Sequence, residues 1–428
     1  MNERFLQFIW QYQLFEKNNL LTEHGLPVEI VSPGKQNLNS GPDFIEAKIR
    51  IGDTLWVGCV EVHLNSSDWY SHKHHSDSAY NNVILHVVNQ FSKEIINQNQ
   101  QIIPTLVIST PQSLVLNYTL LMKSKAWIAC EDVFSQIDEF RKIFYIEALS
   151  IERLQQKSEQ INRLFEEADF SYDELFYRLL SQNFGFKINA QPFEQLARKT
   201  PLNIIRKIAG NPLSVEALLF GQAGLLPHDN FPDDYCRYLV EEYRHLKHRF
   251  NLDTAARFEW KFSRIRPQNF PTIRIAQLSK MVSAHSDFIG SIIESADLTS
   301  VRSLFEINPS DYWQEHYHFG KKSKRKFGGL GNASLDIILI NTVVPFLFFY
   351  GLQHNNQSLK NKALQWLEAI VPEKNSIIEH WQDLGAEISN ARQSQGYLQL
   401  KNEYCSKQRC LDCQIGSLII REGLMVKE

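Results

Sequence analysis

The spacing of apolar positions along this chain changes once, between about residues 110 and 145. Before the change, short runs rich in β-branched and apolar residues at 27–32, 43–51, 54–64, 82–89 and 102–109 predict strands, with a helix over 3–16 in front of them. Gly52-Asp53, between IEAKIRI and LWVGCVEVH, is a two-residue turn signal that joins the second and third runs as a β-hairpin. The polar stretch 65–81 has room for a short helix, which gives the order α-β-β-β-α-β-β. After the change, apolar residues recur at helical spacing over 140–166, 173–183, 202–208, 214–223, 233–249, 272–294, 333–352, 359–370 and 376–390. The pattern predicts a mixed α/β domain at 1–115 and a helical domain over 116–428, without internal repeats.

The longest apolar run, 337–352, is shorter than the roughly 20 residues that a membrane-spanning helix needs. It also carries Asn341 and Pro345, so it reads as a buried helix with a kink or break near the proline. The polar, acidic-containing N-terminus is unlike a signal peptide, and the expected location is cytoplasmic, with no membrane partner. There the six cysteines stay reduced or bind metal. The length of 428 residues exceeds what one core usually supports. With 43% hydrophobic and 22% charged residues the chain has ordinary globular composition, and its net charge of −3 gives no global basic footprint. Nucleic-acid contact therefore has to rest on local patches.

The chemistry concentrates between Gly41 and His86. Asp43 lies at the mouth of the first hairpin strand and Glu61 far along the second, so their carboxylates can converge on a divalent metal. Glu61 and His63 are two apart and share a strand face, a pattern that solvated polar surface also produces. Segment 63–86 holds five of the fourteen histidines, namely His63, His72, His74, His75 and His86, and Asp77 adds a carboxylate. Such clustering suggests metal or phosphate contacts, yet no H-E-x-x-H box is present and no defined second metal site is expected. His72, His75, Asp77, Tyr80 and His86 stand as accessory residues. His86, inside the apolar run VILHVV, reads as a hydrogen-bonded core histidine, and Tyr80 either closes the site or packs the strand entry.

Three cysteines, Cys405, Cys410 and Cys413, fall within nine residues near the C-terminus, and in a reducing compartment such density favours a metal thiolate. Zinc and iron-sulfur centres both want four ligands, and Cys130 is the fourth we expect, because Cys59 lies in a strand and Cys236 in a helical stretch. Lys321, Lys322, Lys324, Arg325 and Lys326, followed by Gly328-Gly329-Leu330-Gly331, read either as a phosphate-contacting loop or as a solvated charge run. They do not form a Walker motif. Arg264, Arg266 and Arg274 make a looser basic set.

Gly41-Pro42-Asp43, a strand, then Glu61-Val62-His63 within this element order resembles the PD-(D/E)xK nuclease core, with His63 where that superfamily usually has lysine. The resemblance covers roughly the first 110 residues. It implies a restriction-endonuclease-like mixed sheet in which Asp43 and Glu61 bind Mg²⁺ or Mn²⁺ and the Val62 carbonyl assists. His63 would take the lysine's role, either as general base near its reference pKa of about 6.5 or as a direct ligand to Zn²⁺ or Mn²⁺. Some nucleases of this superfamily resemble the chain in pairing three C-terminal cysteines with a distant one around an iron-sulfur cluster, although their distant cysteine precedes the core. The function so implied is metal-dependent phosphodiester hydrolysis on DNA or RNA; the competing reading is a non-catalytic nucleic-acid or protein-binding module on a degenerate nuclease core. A zinc hydrolase of small molecules is disfavoured by the lack of a zinc box. Segments 67–88, 264–278 and 405–416 also resemble an uncharacterised bacterial family, which implies kinship and no activity.

Overall fold

The structure is a computed structural model that describes residues 1–253, 259–285 and 287–425. It divides into two units, one made of Met1–Lys142 with Lys401–Glu428 and the other of Ile143–Leu400. The first unit thus runs past residue 115 to Lys142, and it includes the C-terminal cysteine segment.

The first unit opens with helix α1 (Glu3–Gln11), capped by the Asn2 side chain, which accepts from the Phe5 amide at 2.9 Å. It ends short of the expected residue 16 because Gln13 turns left-handed at φ 50°. Phe5, Leu6, Phe8, Ile9 and Trp10 are buried, and Trp10 donates to the Pro33 carbonyl. The strands are β1 (Val28–Ser32), β2 (Lys35–Gln36), β3 (Phe44–Ile51), β4 (Thr54–Asn65), β5 (Val83–Gln90) and β6 (Thr105–Val107). They form one sheet in the order β1-β3-β4-β5-β6, with β2 also on β3. The pairs β1/β3 and β3/β4 are antiparallel, whereas β4/β5 and β5/β6 are parallel.

The β3/β4 hairpin turns at Gly52-Asp53 between the paired Ile51 and Thr54, and Gly52 takes the positive φ of 58° that such a turn requires. Near the other end a bulge separates the Phe44/Val60 pair from the Ala47/Gly58 pair, with Glu46 at φ 58°. The bulge sets Asp43, just before β3, beside the middle of β4. Val60 through His63 are all buried, so both faces of β4 are covered there. Between β4 and β5 the chain crosses over through α2 (Asp68–Ser71) and two 3₁₀ turns, His74–Ser76 and Ser78–Tyr80, with Lys73 reversing direction at φ 64°. Trp69, wholly buried, pins this crossover by donating to the Ile96 carbonyl at 2.9 Å. After β6 comes α3 (Gln112–Lys123), against which the Gln414–Glu422 helix packs through its buried Ile415, Ile419 and Ile420 side.

The second unit is mainly helical. Its centre is the apolar stretch Asn332–Gln353, long and apolar enough to cross a membrane and mostly buried within the unit. The kink or break expected near Pro345 takes the form of a widened turn just ahead of it. Leu339–Val343 widens into π geometry and Pro345 sits in the first turn of the following helical segment, where its missing N–H costs little. Gly396 permits a close helix approach, since a Cβ there would meet the Ile146 carbonyl oxygen at 2.2 Å.

Candidate metal centre

Asp43 and Glu61 meet as the hairpin predicts. The Asp43 amide donates to Glu61 Oε2 and the Val62 amide donates to Asp43 Oδ2, both at 3.0 Å, so each carboxylate is held by the other's strand. Val62 thus enters the site through its N–H, while its position opposite Val87 places it in the β4/β5 ladder. Burial, first of all, pushes both acids well above the ordinary carboxylate range, and their proximity adds to it at Asp43. Glu61 is 5% exposed, which removes it from the solvated surface that a Glu-x-His strand pattern otherwise suggests.

The second oxygen of Glu61 faces imidazoles. Glu61 Oε1 lies 3.3 Å from His74 Nε2 and 3.5 Å from His63 Nε2. His63 Nε2 is 3.1 Å from His72 Nδ1, and His63 Nδ1 is 2.8 Å from His86 Nε2. One ligand atom each from His63, His72 and His74 falls within 4.8 Å of the others. His74 Nε2 is buried and makes no well-formed hydrogen bond, its near neighbour being Glu61 Oε1 at 3.3 Å.

Burial, with His86, His72 and His74 adding to it, pushes His63 down to about 2. It is therefore held as a neutral imidazole, the form that can ligate a metal. His86 is held down to about 3 by burial and by His74. It sits opposite Glu61 in the β4/β5 register and orients His63 from behind, as the core reading required.

The crossover supplies the remaining ligands, and here the sequence reading needs revision. His72 and His74 group with His63 beside the carboxylates, so His74, absent from the expected accessory residues, enters the candidate ligand set. Of the neighbouring pair it is His74 that points inward, stacked on Tyr80 at 3.7 Å between ring centroids, whereas His75 packs on Tyr70 at 5.1 Å. Tyr80, raised to about 12 by burial and by Glu61, walls the site. Asp77 caps the 3₁₀ turn through the Ala79 amide and adds negative potential at His74. Two residues had no signal of their own. Glu3 and Gln7, four apart on one face of α1, reach the site: Gln7 donates to Asp43, and Glu3 acts electrostatically on Asp43 and Glu61. The i, i+4 spacing of polar Glu3, Gln7 and Gln11 along α1 was the trace available.

The donor set fits a divalent cation: imidazoles from His63, His72 and His74, with Glu61 Oε1 beside them and Asp43 bonded to Glu61 Oε2. A dication would relieve the very burial that raises the acids. Three nitrogens favour Zn²⁺ or Mn²⁺ over the all-oxygen preference of Mg²⁺.

The other expected residues lie elsewhere. Lys321 and Lys322 form the second strand of a small hairpin with His316–His318 in the second unit, and Lys324, Arg325 and Lys326 follow it, exposed. Lys326 pairs with Glu315 at 3.4 Å. Arg274 is not a surface cation: it is 4% exposed, bonded to Gln277, Asn269 and Ser334, and lies over the Phe186 ring. Cys130, Cys405, Cys410 and Cys413 all belong to the first unit, Cys236 to the second.

A family model described as "Protein of unknown function (DUF2851)" matches residues 3–376. No curated protein and no solved structure matches the chain.

Proposed function

We propose that this chain, which belongs to the DUF2851 family, is a metal-dependent hydrolase whose first unit cleaves phosphodiester bonds in DNA or RNA. One observation carries the reading: two clamped carboxylates, Asp43 and Glu61, converge with His63, His72 and His74 on a single buried-edge centre. The strand order supports it, since three antiparallel strands followed by a crossover to a parallel strand is the arrangement that the PD-(D/E)xK resemblance implies. In this reading His63, His72, His74 and Glu61 hold Zn²⁺ or Mn²⁺. The metal supplies a bound water of lowered pKa and a Lewis acid for the phosphoryl oxygens. Asp43, held beside Glu61 and bonded by Gln7, would be the proton acceptor once a metal is bound, and the Glu3 charge would keep its proton affinity high. The basic run Lys321–Lys326 is proposed as a separate phosphate contact, unspecific for sequence.

Full-length protein loaded in turn with Mn²⁺, Zn²⁺ and Mg²⁺ should cleave a labelled single-stranded, duplex or structured oligonucleotide. Activity should be highest with the first two metals, and His72→Ala and His74→Ala should each reduce it by about 10–100-fold through metal affinity. Protein that binds metal with these residues but is inert on every substrate would favour the non-catalytic module, a reading that the missing lysine beside Glu61 keeps in play. Protein that binds no metal through these residues would end the hydrolase reading.

A further inference from the structure

We propose that Cys130, Cys405, Cys410 and Cys413 hold one zinc ion as a four-thiolate structural centre that fastens Lys401–Glu428 to the rest of the first unit. The four are brought into one unit from segments separated by the whole of Ile143–Leu400, while the remaining two cysteines are placed apart, Cys59 on β4 and Cys236 in the second unit. None of the six is in a disulfide.

The local backbone is shaped around these positions. Cys405 ends a helical stretch, its carbonyl accepts from the Gln408 amide at 3.1 Å, and Gln408 turns left-handed at φ 50°, so the chain doubles back toward Cys410. Cys413 then caps the Gln414–Glu422 helix, its carbonyl accepting from the Ser417 amide at 2.7 Å. Gly416 is demanded by this coil, because a Cβ there would lie 2.2 Å from the Cys410 carbonyl oxygen. On the other side Cys130 opens a 3₁₀ turn, its carbonyl accepting from Val133.

The two segments are also tied side by side. Lys401 Nζ bonds the Trp127 carbonyl and lies 4.3 Å over its ring, and Arg141 pairs with Glu422 at 2.9 Å. These ties set the Lys401–Cys405 stretch beside the Trp127–Cys130 segment, and the Gly416 contact holds Cys410 against the first turn of the helix that Cys413 caps. On binding, four S–H protons are released and four Zn–S bonds form; no electrons move, and Lys401 offsets part of the negative charge left on the ligands. Zinc needs no component beyond the ion, whereas an iron-sulfur cluster needs inorganic sulfide as well.

The test uses the whole chain purified under reducing conditions without chelator. Expected is one thiol-bound zinc per chain, counted apart from any metal at the histidine centre, which a thiol-blocking mercurial releases in proportion to four equivalents and which His72→Ala does not remove. Cobalt exchanged into the protein should show the absorption of a tetrahedral tetrathiolate. Cys130→Ser and Cys405→Ser should each lose that spectrum while Cys236→Ser keeps it. If a serine variant does not fold, the mercurial titration of the unaltered chain decides alone. Four thiols that react freely in the native protein without metal release would overturn the proposal, as would an unchanged cobalt spectrum in Cys130→Ser. Iron with acid-labile sulfide in place of zinc overturns the ion assigned.

Discussion

Glu61→Gln should abolish hydrolysis and, in the metal-free protein, increase stability at neutral and alkaline pH. The two effects have opposite sign because one carboxylate serves the cation and burdens the apo fold. The amide keeps the shape and can still accept from the Asp43 N–H, but it removes the charge, and the expected loss of turnover is about 10²–10³-fold. In the apo protein, burial raises the pKa of both Asp43 and Glu61 above their unfolded values near 4. The native state then binds protons more tightly than the unfolded one, so this contribution is full below about pH 4 and is lost as pH rises through the raised folded values. The buried imidazoles His63, His74 and His86 act in the other direction: their lowered pKa values cost stability as pH falls below about 6.5. Thermal melts of chelator-treated wild type should decline toward alkaline pH, whereas Glu61→Gln should be flatter and more stable there by about 1–3 kcal/mol. Saturating Mn²⁺ or Zn²⁺ should remove the wild-type decline. Identical pH profiles for the two proteins would show that the carboxylate is not held against its charge.

Trp69→Ala should unfold much of the crossover and empty the centre of two ligands at once. Trp69 is wholly buried and touches His74, Tyr80 and His86 with ring centroids 5.3, 5.8 and 5.5 Å away. Truncation is expected to cost about 3–5 kcal/mol, read as a lowered denaturant midpoint. Trp69→Phe retains most of the packing and gives up the bond to the Ile96 carbonyl, which should cost about 1 kcal/mol. The ordering should repeat in metal affinity, since His72 and His74 sit on the segment that this ring anchors. A Trp69→Ala protein that folds less well yet binds metal as tightly as wild type would detach the crossover from the site.

The parts of this molecule legible in sequence are those governed by short-range pattern. The hairpin at Gly52-Asp53 and the alternation in β4 place Glu61 and His63 on one face and bring Asp43 to them, because strand geometry leaves little choice. His74 was harder to single out, since three histidines within His72–His75 sit on a segment of 3₁₀ turns and a left-handed Lys73, where no fixed period says which side chain turns inward. Glu3 and Gln7 depend on how α1 packs against the sheet, a tertiary fact that local composition does not encode. At Pro345 the sequence rule was sound but incomplete: a proline breaks a regular helix, and widening the turn ahead of it is another way to lose the hydrogen bond. The cysteine spacing marked the tail as special, while its membership of the first unit rests on contacts such as Lys401 with Trp127.

That membership has a consequence for the order of events at the ribosome. Residues 1–142 emerge first, and their sheet and imidazole cluster are complete as soon as β6 is out, yet the Gln414–Glu422 helix that covers α3 is made only after all of Ile143–Leu400. Until then the flank of α3 that the Ile415, Ile419 and Ile420 side of that helix packs against has no lid from it. A message cut short anywhere in the second unit therefore yields a nascent product with a nearly finished sheet and a sticky flank, the kind of species that quality control removes.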